Sequence, residues 1–155
     1  MSARDLSDVD AQMQAPEAIL GRAAERGRQM GLRYAGAVTP AEAHRLAGTG
    51  TAAIVDVRTR LEWDQVGHVA GARLIVWPRK GGDEEIGAFL KQLEEAHDPG
   101  EALLFICRSG VRSHYAAQVA AAAGFTRSYN VLEGFEGHPG SGDGWQAAGL
   151  PWTKG

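Results

Sequence analysis

The chain carries one cysteine, Cys107, set in surroundings that suit a reactive thiol. It is followed by Arg108, Ser109, Gly110, Val111, Arg112 and Ser113, so two arginines and a glycine lie close behind the sulfur. The thiolate is the nucleophilic form of cysteine, and a nearby cation or a helix N-terminus favours it over the thiol. Gly110 can take dihedrals closed to other residues, which lets the segment curl with successive backbone N–H groups pointing at the sulfur. Such a cradle stabilises a thiolate, a persulfide anion or an oxyanion alike. A lone cysteine is more often inert packing. Here an apolar run before it, arginines beside it and a helix start after it favour the catalytic reading. Arg112, near the positive end of that helix, implies an anion contact, and Arg108 is a loop residue that sets the local potential.

A second polar group surrounds the end of another apolar run: Asp56, Arg58, Glu62 and His68. One histidine with two acids is a poor metal set, so these residues read as structural support and no metal is expected. The expected pairing is Arg58 with Glu62, with Asp56 and His68 hydrogen-bonding loops behind the site. His114 is expected on the exposed side of its helix. Trp63, Trp77, Trp145 and Trp152 read as core and rim, since no basic stripe accompanies them.

These residues need elements to hold them. Residues 52–57 are a short apolar run bounded by turn residues, as expected for a strand buried on both faces of a parallel sheet, and residues 73–76, 102–106 and 127–131 predict three further strands. Thr39, Pro40 and Glu42 form an N-cap, first-turn proline and capping-box acid for a helix through residue 47. Residues 84–96 predict an amphipathic helix with Ile86, Phe89, Leu90 and Leu93 inward, and residues 113–123 predict an alanine-rich helix ending at Gly124. Alternating strands and helices indicate an α/β domain, and Cys107 falls just past a strand, where such sheets bind ligands. Residues 134–144, with five glycines and a proline, predict an irregular loop.

Residues 1–35 read as an N-terminal extension before a domain over 36–155. Within it Pro16 can open a helix whose Ile19, Leu20, Ala23, Ala24, Gly27 and Met30 share a face, suited to docking on the domain, on a partner protein or on a second subunit. The net charge of -3, from 16 basic and 19 acidic residues, provides no global field for nucleic acid or anionic lipid. No apolar run suits a membrane helix and the polar start lacks a signal-peptide pattern, so a cytoplasmic location is the expectation. No GxGxxG follows a strand and no Walker pattern occurs, so no cofactor is assigned.

The run from Ile106 through Ser113 resembles the active-site loop of the rhodanese family. Val55-Asp56-Val57-Arg58, Glu62-Trp63 and Gly67-His68-Val69-Ala70-Gly71-Ala72 resemble its N-terminal signature. Asn130-Val131-Leu132-Glu133-Gly134-Phe135 and Gly149-Leu150-Pro151-Trp152 resemble its closing segment. The resemblance covers residues 34–155. It implies a central parallel five-stranded sheet with helices on both faces. It also implies a sulfurtransferase chemistry in which Cys107 takes sulfane sulfur from thiosulfate or a persulfide and passes it to a thiol or cyanide. Family members that act on phosphate or arsenate carry a Cys-x5-Arg loop, one residue longer than the spacing from Cys107 to Arg112. Thiosulfate-specific members often carry an arginine about where Glu62 stands. The alternatives are a non-catalytic docking or sulfur-carrier module and, less favoured by the loop length, a thiol phosphatase or arsenate reductase.

Overall fold

The structure is a computed structural model and describes residues 11–155. Residues 1–10, with part of the expected extension and the polar start used against a signal peptide, lie outside the described residues. The elements run α1 (Pro16–Met30), β1 (Gly36–Val38), α2 (Pro40–Gly48), β2 (Ala53–Asp56), α3 (Arg60–Gln65), β3 (Arg73–Leu74), α4 (Asp83–Ala96), β4 (Leu103–Ile106), α5 (Val111–Ala122) and β5 (Ser128–Val131). The strands form one five-stranded sheet in the order β1-β5-β4-β2-β3, and every pairing is parallel.

β4 lies at the centre and shows why the sheet needs helices on both sides. Side chains alternate across a strand, so Leu103 and Phe105 face one layer while Leu104 and Ile106 face the other, and all four are buried. Leu104 and Ile106 pack with Ile19 and Ala23 of α1 and with Ala43 and Leu46 of α2. Leu103 and Phe105 pack with Phe89 and Leu93 of α4 and with Ala116, Ala117 and Ala120 of α5. Full burial of each large apolar side chain is worth about 1.5–3 kcal/mol, so this strand is held firmly where it ends at Cys107.

α1 is seated on this chain's own sheet through Ile19, Ala23 and Gly27. Met30, expected on the same face, is 52% exposed at the last residue of the helix. α2 begins with the expected capping box: the Thr39 hydroxyl accepts from Glu42 N–H at 3.1 Å, and the Glu42 carboxylate accepts from Thr39 N–H at 2.9 Å. β3 is shorter than the run 73–76, although Ile75 and Trp77 N–H groups still donate to Asp56 and Val57 carbonyls. Beyond β5 no further helix or strand of the sheet forms. Buried Trp145 anchors the tail, its indole donating to the Pro151 carbonyl at 2.9 Å. Among the described residues no helix is long and apolar enough to cross a membrane.

Candidate active site

Cys107 follows the last residue of β4 and so opens at the C-terminal edge of the sheet. Gly110, with φ 101°, turns the chain and serves as N-cap of α5, a conformation an L-residue with a β-carbon rarely adopts. Its N–H donates to Cys107 Sγ at 3.1 Å. The Ser113 hydroxyl lies 3.2 Å from Sγ and 2.6 Å from Asn130 Oδ1, and Asn130 Nδ2 donates to the Gly110 carbonyl at 3.1 Å. The sulfur sits on the floor of the loop, with Cys107 1% exposed. α5 starts at Val111, two residues before the expected 113, because Gly110 already provides the turn, and Arg112 therefore lies in the first helical turn.

The segment after β5 braces this loop from outside. Phe135 N–H donates to the Cys107 carbonyl at 2.8 Å, and Glu136 and Gly137 N–H groups donate to the Arg108 carbonyl at 3.0 and 3.1 Å. Gly134 makes the approach possible: with φ 66°, it lies where a β-carbon would sit 2.5 Å from the Cys107 carbonyl oxygen.

The charges pair differently from the sequence expectation. Arg58 is fully buried and turns back on Asp56, with Nη2 donating at 2.7 Å and Nε at 3.0 Å, while Asp56 also accepts from the Arg58 backbone N–H. Its Nη2 also donates to the Gly67 carbonyl at 2.7 Å, and the guanidinium lies 4.5 Å from the centre of the Phe135 ring. Glu62, expected to pair with Arg58, instead meets Arg112 in a two-pronged contact of 2.8 and 2.9 Å. The reason is local. Thr59 caps α3 and Glu62 is the return acid of its capping box, accepting from Thr59 N–H at 3.1 Å, which aims the carboxylate at the α5 start. Burial alone would push the Glu62 carboxyl up, but hydrogen bonds from Arg112 and Thr59 outweigh it and bring it down to about 2. The same pairing raises Arg112 above its ordinary value. The anion that Arg112 contacts is thus the protein's own carboxylate.

The remaining candidates separate into two groups. Arg108 is exposed and lies 3.4 Å from Glu136, while Ser109 is half-buried and Val111 is 59% exposed. Together with Trp77, Arg79, Arg112 and Tyr115, these three residues line an open cleft of about 430 Å³. His68 is not part of it. Its ring stacks on Trp63 at 3.7 Å, Nδ1 lies 3.2 Å from the Trp63 carbonyl, and its backbone pairs with Thr153. His114 is half-buried instead of exposed, because its Nδ1 lies 2.6 Å from the Tyr34 hydroxyl. Burial pushes that hydroxyl up to about 12, so it stays protonated near neutral pH. The tryptophans range from fully buried Trp145 to Trp152, 44% exposed at the rim.

Sequence reasoning on individual residues missed Asn130 and Arg79. Asn130 sits inside the fully buried strand β5 and carried no spacing signal of its own, though the closing segment that resembles the family includes it. Arg79 follows a short edge strand, and no pattern in the sequence brings that segment to the cleft it shares with Arg108 and Ser109.

Comparison with known proteins agrees with this architecture. A model of the rhodanese-like domain matches residues 39–138. An uncharacterized protein of Rickettsia prowazekii (strain Madrid E) is 38% identical over 102 residues, covering 64% of this chain and 80% of the relative. The thiosulfate sulfurtransferase GlpE of Actinobacillus pleuropneumoniae is 38% identical over 69 residues, 44% of this chain and 54% of that protein. A crystal structure from M. tuberculosis matches with a TM-score of 0.67 at 38% identity, covering 79% of this chain and 99% of the other. Matched in sequence over residues 39–138 and built on the same parallel five-stranded sheet, the chain belongs to the rhodanese-like domain family.

Proposed function

We propose that the protein is a sulfurtransferase that carries sulfane sulfur as a persulfide on Cys107. The observation that carries this reading is the Gly110 N–H donated to Cys107 Sγ at 3.1 Å, within a loop whose next turn opens α5. A backbone donor at a helix N-terminus stabilises negative charge on sulfur without needing a separate general base. In the first half-reaction the Cys107 thiolate attacks the outer sulfur of thiosulfate or of a persulfide. The donor S–S bond breaks, its electron pair leaves on sulfite or on the donor thiolate, and a new Sγ–S bond forms. In the second, a thiolate or cyanide attacks the outer sulfur and the Sγ–S electron pair returns to Cys107. Arg79, lining the cleft, favours an anionic donor.

Arg108, Ser109, Gly110, Val111, Arg112 and Ser113 supply the ring around the sulfur, with Asp56, Arg58 and Glu62 as its support. The engagement of Arg112 by Glu62 counts against a phosphatase or arsenate reductase, which needs its loop arginine for the bound oxyanion. It agrees with the loop being one residue short for that chemistry. A partner protein as sulfur acceptor is the second reading, supported by exposed Met30, Val111 and Tyr115 on the border of a groove beside the loop.

The test is steady-state thiocyanate formation from cyanide with thiosulfate and, separately, with a low-molecular-weight persulfide. Turnover with either donor, lost in Cys107→Ser, together with no hydrolysis of an aryl phosphate, is the expected result. Aryl phosphate hydrolysis that depends on Cys107, without thiocyanate formation, would overturn the proposal.

A further inference from the structure

Three polar groups beneath the sulfur can share their hydrogens in one way. The Gly110 carbonyl only accepts, so the Asn130 atom 3.1 Å from it is the amide nitrogen and Oδ1 is turned toward Ser113. Oδ1 also only accepts, so the 2.6 Å contact uses the single hydroxyl hydrogen of Ser113. That hydrogen is then withheld from Sγ, 3.2 Å away, and Ser113 presents a lone pair to the sulfur. Ser113 is fully buried and Asn130 is 5% exposed, so bulk water does not substitute for either partner.

We infer that Asn130 is a positioning residue that, through the Ser113 hydroxyl, biases Cys107 toward its sulfur-loaded form. This rests on the sulfur-transfer reading above. In the persulfide the negative charge resides on the outer sulfur, and Sγ tolerates a lone pair facing it. In the empty thiolate the charge sits on Sγ itself, so the Ser113 hydroxyl must turn to donate to sulfur and give up Asn130. The bond between Ser113 and Asn130, which the unloaded chain shows at 2.6 Å, is compatible with a thiol or a persulfide at Cys107 and is given up only where Sγ itself carries the charge. An interaction that differs between two states shifts their populations by that difference. One neutral hydrogen bond corresponds to about a two- to tenfold shift.

The equilibrium that reads this is thiolate Cys107 plus thiosulfate giving Cys107 persulfide plus sulfite. The S–S bond of thiosulfate breaks with its electron pair leaving on sulfite as the Sγ–S bond forms. Intact mass would give the ratio of loaded to empty chain at fixed thiosulfate:sulfite ratios for the full chain, Asn130→Leu, Ser113→Ala and the double variant. The cycle matters because Asn130→Leu also removes the bond to the Gly110 carbonyl, and that loss is common to both backgrounds.

The expected result is a two- to tenfold fall in the loaded ratio for Asn130→Leu, and a change of less than twofold when the same substitution is made in Ser113→Ala. Asn130→Ala replaces the leucine variant if thermal melting shows the latter unfolded. A loaded ratio unchanged by either substitution, or a fall of equal size without the Ser113 hydroxyl, overturns the inference while leaving sulfur transfer intact. An unsubstituted chain that takes up no sulfur overturns the sulfur-transfer reading, and this inference with it.

Discussion

Removing the Asp56 carboxylate should cost far more stability than removing Glu62, because the two acids face very different arginines. Asp56 and Arg58 are both fully buried, and Asp56 accepts from the Arg58 backbone as well as from its guanidinium. In Asp56→Ala the guanidinium keeps the Gly67 carbonyl and the Phe135 ring but loses its counter-charge, and no solvent reaches it. Breaking a buried pair from one side costs about 3–5 kcal/mol. For a chain of this size, where each kcal/mol moves the midpoint about 2–4 °C, that is a fall in Tm of about 6–20 °C. Glu62 and Arg112 retain 18% and 14% side-chain exposure, so Arg112 can be rehydrated after Glu62→Gln, and the expected loss is about 1–2 kcal/mol. Urea unfolding followed by tryptophan fluorescence measures both, with Asp56→Ala/Arg58→Met as a third variant expected to regain most of the loss, since it removes the stranded charge. If Asp56→Ala loses less than about 1 kcal/mol, or Glu62→Gln loses as much as Asp56→Ala, the assignment of Arg58 to Asp56 is wrong.

Two further outcomes follow from the same contacts. Glu62 is held at about 2, below the ordinary unfolded value of about 4.3, so its stabilising contribution is complete above the unfolded value and declines as pH falls toward 2. The stability gap between the unsubstituted chain and Glu62→Gln should thus be flat from about pH 6 to 8 and close below about pH 4; a gap that instead opens on acidification would contradict the pairing with Arg112. Gly134→Ala forces a β-carbon to within 2.5 Å of the Cys107 carbonyl oxygen at φ 66°, and should cost about 2–4 kcal/mol while altering the rate of Cys107 alkylation. A melt and an iodoacetamide time course unchanged from the parent would show that the segment after β5 does not brace the loop.

Periodicity carried the sequence reading furthest where elements are long or central. The runs around 52–57, 102–106 and 127–131 became β2, β4 and β5, and the helix expected at 84–96 became α4 from Asp83. β1 has three residues and lies at the sheet edge, too short for apolar periodicity to reveal; only pairing with β5 makes it a strand. α3 lies outside the expected elements, although Thr59 and Glu62 spell the same capping box as Thr39 and Glu42 at the start of α2. That omission explains the mistaken Arg58–Glu62 pair: once Glu62 is the return acid of a cap, its direction is set by the helix and not by the nearest arginine in sequence. The position of Cys107 past a strand was legible because a parallel sheet fixes where strand ends lie. The opposing contacts of Asn130, Phe135 and Glu136 were not, since they come from segments 17 or more residues away that only sheet order brings together.

The most direct measurement is the intact mass of the full chain and of Cys107→Ser after incubation with thiosulfate and with a persulfide donor. A gain of one sulfur atom, ~32 Da from its atomic mass, that needs the donor, is absent in Cys107→Ser and is discharged by cyanide is the expected result for a thiolate nucleophile. No adduct from either donor, on protein whose thiol titrates as free, would contradict a Cys107 persulfide.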